Sequence, residues 1–311
     1  MANSFSSTLS QLIQLVRQPA PASTHQAYPK LRNFILDVMA EGRRKNIINL
    51  LFEVELAPVR DNLARHSAAT SERISLTTYL AKSLACAVAE NKPMHGYRHG
   101  KSKLILFEDV DLSVMVEREI EEGALPVALL PVTHIVRSAN NKTSGEIHKE
   151  LQAAKVAPLG EQGPMSALEK RFFEMPAVLR KIVWFFIRRD PAMFKDLVGT
   201  VGVTSMGMHT SGSAVVIPIT PMTLTLSIGS IGKKLVLENG VPVERDIIHL
   251  NLGADHDIID GAPLMRFADR FKIMLAEGYA LDCPQPSIKA PSTAPFSAAE
   301  ADSDSPLSVP A

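Results

Sequence analysis

The stretch "LGADHDIIDGAPLMRF", residues 252–267, sets His256 four positions before Asp260 and five before Gly261. A neutral imidazole can take a proton from an attacking nucleophile, because its unperturbed pKa lies near about 6.5. The aspartate four residues away is a natural helix cap. Spacing alone keeps the plainer reading open: Asp260 as a cap, Gly261 as a tight-turn residue, His256 as a satisfied core histidine.

The flanking patterns say what must position these residues. In "DIIHLNLGADH", Ile248, Leu250, Leu252, Ala254 and His256 share one parity, so His256 is expected to continue an inward-facing row at the end of a strand. Beyond it the period changes to that of a helix, with Leu264, Phe267, Ala268, Phe271 and Leu275 on one side. Asp260 is placed as the N-cap of that helix and Pro263 in its first turn.

The remaining elements are mixed. "SLTTYLAKSLACAVAE" has the helical spacing Leu76, Leu80, Leu84, Val88, with Ser75 as cap. "KLILFEDVDLSVMVE" alternates, with Val110, Leu112, Val114 and Val116 on one parity. "TSGEIHKELQAAKV" is a helix opened by a Thr143/Glu146 capping box. "LTLSIGSIGKKLVLENGVPVERDIIHLNLGADH" reads as strand, turn, strand, turn, strand, with "ENG" as a hairpin signal. Long strands returning through hairpins with a few packing helices predict an α+β fold with a mixed sheet. The organisation expected is an N-terminal extension over 1–30, a catalytic body over 31–283 with a helical insert at 161–198, and a disordered Pro/Ser/Ala tail over 284–311.

Composition excludes several classes. Thirty-three basic and 33 acidic residues cancel, so nucleic acid is not an expected partner. Two cysteines, Cys86 and Cys283, make neither a disulfide framework nor a metal quartet. No apolar run is long enough to span a membrane, and the N-terminus lacks the pattern of a secretory signal, so the expected location is the cytoplasm. "MHGYRHG" holds His95 and His99 among turn glycines with no third ligand, and no metal is expected. The "EREIEE" run, 117–122, reads as a charged turn.

"DHDIIDGAPLMRFADRFKIML" resembles the active-site segment of the dihydrolipoamide acyltransferases of 2-oxo acid dehydrogenase complexes, whose signature is D-H-R-x-x-D-G-A; the chloramphenicol acetyltransferases share its His-x-x-x-Asp-Gly pattern. "GTVGVTSMGMH", 199–209, is similar to the family strand G-T-F-T-I-S-N-L-G-M-F, and "GRRKNIINLLF", 42–52, to its early R-K-x-I-A helix. The likeness runs from about residue 31 to 280. It implies a chloramphenicol acetyltransferase-like two-layer sandwich and transfer of an acyl group between coenzyme A and a thiol, hydroxyl or amine. By position, His256 matches the catalytic base and Thr204 the hydroxyl that donates to the tetrahedral oxyanion. Asp260, with Gly261 beside it, matches a support residue that pairs with an early arginine, here Arg43 or Arg44. The family's channel lies between subunits, so a homotrimer is implied.

Departures temper the match. Asp257 replaces the family's arginine and sets a negative charge beside the base; Ser205 replaces asparagine and His209 replaces phenylalanine. No lipoyl attachment site is recognised on this chain, so the acceptor is expected to be a free molecule or a group on a lipoyl-bearing or carrier protein. The alternative is a non-catalytic oligomeric scaffold that kept the fold. The segment 168–197, with Phe172, Phe173, Trp184, Phe185 and Phe186 among Arg and Lys, is expected to pack on its own domain or a trimer neighbour; membrane contact is not.

Overall fold

The computed structural model describes residues 32–120, 128–156, 175–205 and 212–282. The extension before residue 32, the first part of the insert (Phe172 and Phe173 included), His209 and the tail lie outside the described residues.

Helix α1 (Arg32–Gly42) ends just before Arg43 and Arg44, and the chain then turns into strand β1 (Ile47–Glu55). This corrects the helix that the family likeness implied for 42–52. The dense run of Ile47, Ile48, Leu50, Leu51, Phe52 and Val54 suits a pleated, half-buried strand. After α2 (Leu56–Thr70) comes α3 (Leu76–Glu90), whose Thr78 amide donates to the Ser75 side chain as expected. A 3-10 turn (Lys92–His95) leads into a small hairpin, β2 (Tyr97–His99) and β3 (Lys103–Ile105). Strands β4 (Leu112–Ile120) and β5 (Ala128–Val136) pair antiparallel, so the start of the charged run is strand rather than turn. Helix α4 (Ser144–Val156) opens on the predicted capping box: Glu146 N–H donates to Thr143 Oγ1 at 3.2 Å and Thr143 N–H to Glu146 Oε2 at 2.7 Å. Helices α5 (Ala177–Ile187) and α6 (Pro191–Val198) precede β6 (Val201–Ser205). The chain closes with β7 (Leu224–Glu238), β8 (Val241–Asp255), α7 (Gly261–Glu277) and a short α8 (Tyr279–Asp282).

Six strands form one sheet in the order β1-β8-β7-β6-β4-β5. β6 runs parallel to both β4 and β7 and the other pairs are antiparallel, which makes the sheet mixed, as expected. Two strands, not three, span 224–255. The first expected turn, near Gly229, is a register shift between Ile228 and Ile231 inside a continuous β7. The second is a turn with positive φ at Asn239 and Gly240, as the "ENG" signal requires.

One face of the sheet carries Leu112, Val114, Val201, Val203, Leu224, Leu226, Leu250, Leu252 and Ala254, all buried against α3, α7 and their neighbours. Helix α7 contributes Leu264, Phe267, Ala268, Phe271 and Leu275, the stripe predicted from its period. Cys86 is buried in α3. The insert helices form a small second core of Trp184, Ile187, Phe194 and Val198, packed on Val38 and Tyr97. The insert therefore packs on its own domain through one side, while Val178, Phe185 and Phe186 on the other side are exposed.

Candidate active site

Strand β8 ends at Asp255, and its inward row stops at Ala254. His256 does not continue that row. Its side chain is 46 % exposed, because the chain leaves the pleat at Asp255 and turns the ring outward. This exposure leaves the ring open to a substrate.

Three successive residues of this turn are gripped by the turn before β1. Lys45 Nζ sits 2.6 Å from Asp255 Oδ2, with both side chains largely buried. His256 N–H donates to the Asn46 carbonyl at 2.8 Å. Asn46 Nδ2 donates to Asp257 Oδ1 at 2.9 Å. From the β2–β3 hairpin, Arg98 Nη1 donates to Asp257 Oδ2, also at 2.9 Å. The hydrogen bond from Asn46, joined by the charge of Arg98, holds the Asp257 carboxyl below the usual carboxylate range. Asp257 is thus tied to two donors, and the carboxylate beside the His256 ring is that of Asp260, with Nδ1 and Oδ1 3.6 Å apart.

Asp260 stands at the N-cap position of α7, but its side chain makes no capping hydrogen bond and is 84 % exposed. The pairing with Arg43 or Arg44 implied by the family is not made within this chain. Arg44 lies 3.9 Å from Glu41, and both arginines are exposed at the end of α1. The buried basic partner at this corner is Lys45, and it meets Asp255 instead. Among the described residues, nothing beyond its chain neighbours and the backbone of its own helix comes within 4 Å of where a Cβ on Gly261 would stand.

Thr204 lies in β6, half-buried, level with Ser227 of β7, which in turn is level with Asn251 of β8. His256 is five residues beyond Asn251 and two strands across. At about 3.3 Å per residue and about 4.8 Å between strands, Thr204 and His256 are roughly 15–20 Å apart in one chain. One chain therefore does not bring the two together.

The Gly-Thr pair before β6 has its own structural work. Gly199 adopts φ +81, a conformation open to glycine, close to the Asp111 carbonyl. The Thr200 hydroxyl accepts from Asp111 N–H at 3.0 Å and lies 3.2 Å from His95 Nδ1. His95 is 1 % exposed, and burial pushes its pKa down to about 4. It is a core residue, and no group of three metal-ligating side chains occurs among the described residues. A shallow depression lined by Pro58, Asp61, Arg65 and Ala276 sits at the far end of α7, about 20 Å of helix from Gly261, and takes no part in this site.

Sequence reasoning missed Lys45, Asn46 and Arg98. The one local signal was Asp257 itself, a carboxylate beside the base that needed a partner.

Residues 191–281, from α6 to α8, match the family model of the 2-oxoacid dehydrogenases acyltransferase (catalytic domain). The likeness is to that catalytic domain. The acyltransferase resemblance read in the motif is borne out. A relative from Rickettsia conorii, the dihydrolipoyllysine-residue acetyltransferase component of its pyruvate dehydrogenase complex, is 26 % identical over 221 residues. The match covers 70 % of this chain but 44 % of that protein. Among solved structures, a probable dihydrolipoamide acetyltransferase from Listeria monocytogenes superposes with a TM-score of 0.58 at 18 % identity, covering 85 % of this chain and 98 % of that one. The cubic core of a pyruvate dehydrogenase multienzyme complex gives 0.60 at 15 % identity, covering 84 % and 96 %. The dihydrolipoamide acetyltransferase of Azotobacter vinelandii, in which a serine, a histidine and an asparagine were investigated for catalytic roles, gives 0.60 at 16 % identity, with the same coverage. At these identities the superpositions establish a shared acyltransferase-core fold.

Proposed function

We propose that the chain is an acyltransferase that moves an acyl group between coenzyme A and a thiol, hydroxyl or amine acceptor, with His256 as its base. The observation that carries this reading is the presentation of His256: a half-exposed imidazole on a turn gripped at three successive residues, inside the family-matched segment.

In this reading His256 takes the acceptor proton as the acceptor attacks the thioester carbonyl carbon. The tetrahedral oxyanion accepts a hydrogen bond from the Thr204 hydroxyl. Collapse breaks the carbon–sulfur bond, and the imidazolium returns the proton to the departing coenzyme A sulfur. Because Thr204 and His256 lie roughly 15–20 Å apart in one chain by strand spacing, the donor for each base comes from a second copy, in a homotrimer or a multiple of it. The acceptor is a free small molecule or a lipoyl or carrier group on a partner protein. The cytoplasm belongs to the same proposal; no described helix is long and apolar enough to cross a membrane.

The test is thiol release from a panel of acyl-coenzyme A thioesters, with free dihydrolipoamide, a separate lipoyl domain, or small alcohols and amines as acceptor. Stimulation by the lipoyl domain alone assigns a dehydrogenase-complex role, and stimulation by a small molecule a stand-alone transferase. No stimulation by any acceptor, with no coenzyme A binding by calorimetry, supports the scaffold alternative and rejects the proposal.

A further inference from the structure

Asp257 puts a carboxylate next in sequence to the candidate base. An untethered carboxylate there could swing toward the imidazole and favour its protonated form, which cannot accept a proton. Instead both carboxylate oxygens are engaged: Oδ1 by Asn46 Nδ2 and Oδ2 by Arg98 Nη1, each at 2.9 Å. Asn46 acts twice, since its carbonyl also accepts the His256 N–H at 2.8 Å. One residue therefore fixes the backbone of the histidine and the side chain of its neighbour.

Arg98 is itself backed. Tyr97, the residue before it, donates its hydroxyl to the Arg188 carbonyl at 3.1 Å, and its ring lies 4.8 Å from that of Phe194. Arg188 follows α5 and Phe194 lies in α6, so the insert supports the hairpin that carries Arg98. A chain of contacts thus runs from insert to hairpin, from hairpin to Asp257, and so to the turn that presents His256.

We propose that Arg98 and Asn46 are positioning residues for His256: together they hold the Asp257 carboxylate off its ring and fix the turn that faces the ring outward. This rests on the reading of His256 as the base. The charged groups around the ring are Asp260 on its own turn, Asp255 neutralised by Lys45, and Asp257 neutralised by Arg98. Asp257 is the one among them whose tether can be cut without breaking a buried pair, because the Arg98 side chain is half exposed.

The experiment titrates the His256 ring by NMR in the full-length protein, with its signal assigned through His256→Gln. Arg98→Ala is expected to raise the His256 pKa by about 0.5–1 pH unit, as a freed carboxylate reaches the ring. Arg98→Ala/Asp257→Asn is expected to bring it back to the wild-type value or below. Arg98→Lys, which keeps the charge, is expected to stay within about 0.2 unit of wild type. Should Arg98→Ala fail to fold, Asp257→Asn alone decides: the proposal expects a value at or below wild type, and a rise overturns it. An unchanged pKa in Arg98→Ala, or a rise that the second substitution leaves in place, also overturns it. The ring titrates whether or not acyl transfer is found, so failure of this inference and failure of the proposed function are separately visible. If transfer is found, the acid limb of kcat/KM is expected to move with the NMR value.

Discussion

The end of β8 and the last part of β6 hold the two candidate catalytic side chains in opposite ways. His256 sits past the last pleated residue, its backbone bonded to Asn46 and its ring turned out. Thr204 sits within β6, level with Ser227 of β7 and one residue beyond the last β6 residue paired with β4. A base must move protons with a diffusing acceptor, which calls for exposure. An oxyanion donor acts by being fixed before charge develops, which calls for rigid surroundings. The same sheet supplies both conditions, yet too far apart for one chain to use them on one substrate.

Substitutions can break this contrast. His256→Ala is expected to lower turnover by roughly 10²–10⁴-fold with the fold intact, and Thr204→Val by about 10²-fold, both read as steady-state thiol release. Near wild-type rates in both variants would remove the site altogether.

The next largest effect falls on the grip beneath the histidine. Lys45 and Asp255 form a mostly buried pair, and removing one partner strands a charge. Asp255→Asn is expected to cost about 3 kcal/mol in denaturant unfolding. A change within the error of the measurement would mean that the turn is held by its backbone bond and the tethers on Asp257, without help from this pair.

The start of β6, level with the close of β8, has a pH signature of its own through His95. Its folded pKa is depressed to about 4 from an ordinary 6.5, so on acidification the unfolded chain takes up the proton first. The stability linked to its burial is therefore fully present above about pH 6.5 and is lost as pH falls toward 4, by an amount of the order of 3 kcal/mol. Unfolding of wild type and His95→Gln at pH 7 and pH 5 should show a smaller pH dependence in the variant. Equal dependence would place the acid sensitivity elsewhere.

The smallest effect is expected at Asp260. The family likeness cast it as a loop support, but in this chain it is exposed and makes no capping bond. Asp260→Asn is expected to change stability by less than about 0.5 kcal/mol in denaturant unfolding. A larger loss would show that Asp260 is buried or paired in the assembled protein.

Local pattern made much of the fold legible. The helical stripes of α3 and α7, the Thr143/Glu146 box and the Asn239-Gly240 turn depend on neighbours within a few residues, and each stands where the spacing put it. β1 was misread because the basic residues before it were matched to a helix, although its own apolar run is strand-like. The parity rule failed at His256 because alternation holds only while the pleat lasts, and nothing in "GADHD" marks its end. The partners of the site were beyond reach for a different reason. Lys45, Asn46 and Arg98 lie more than 150 positions before the residues they hold, and β1–β8 pairing alone brings Lys45 and Asn46 there.

In the proposed assembly two chains complete each site. Mixing His256→Ala and Thr204→Val subunits, by co-expression or co-refolding in equal amounts, tests it directly. Each variant alone is expected to be nearly inactive, while the mixture should regain about a quarter of wild-type activity, because a working site needs an intact His256 from one chain beside an intact Thr204 from the next in a closed ring. A mixture no more active than its two components measured apart would contradict the claim.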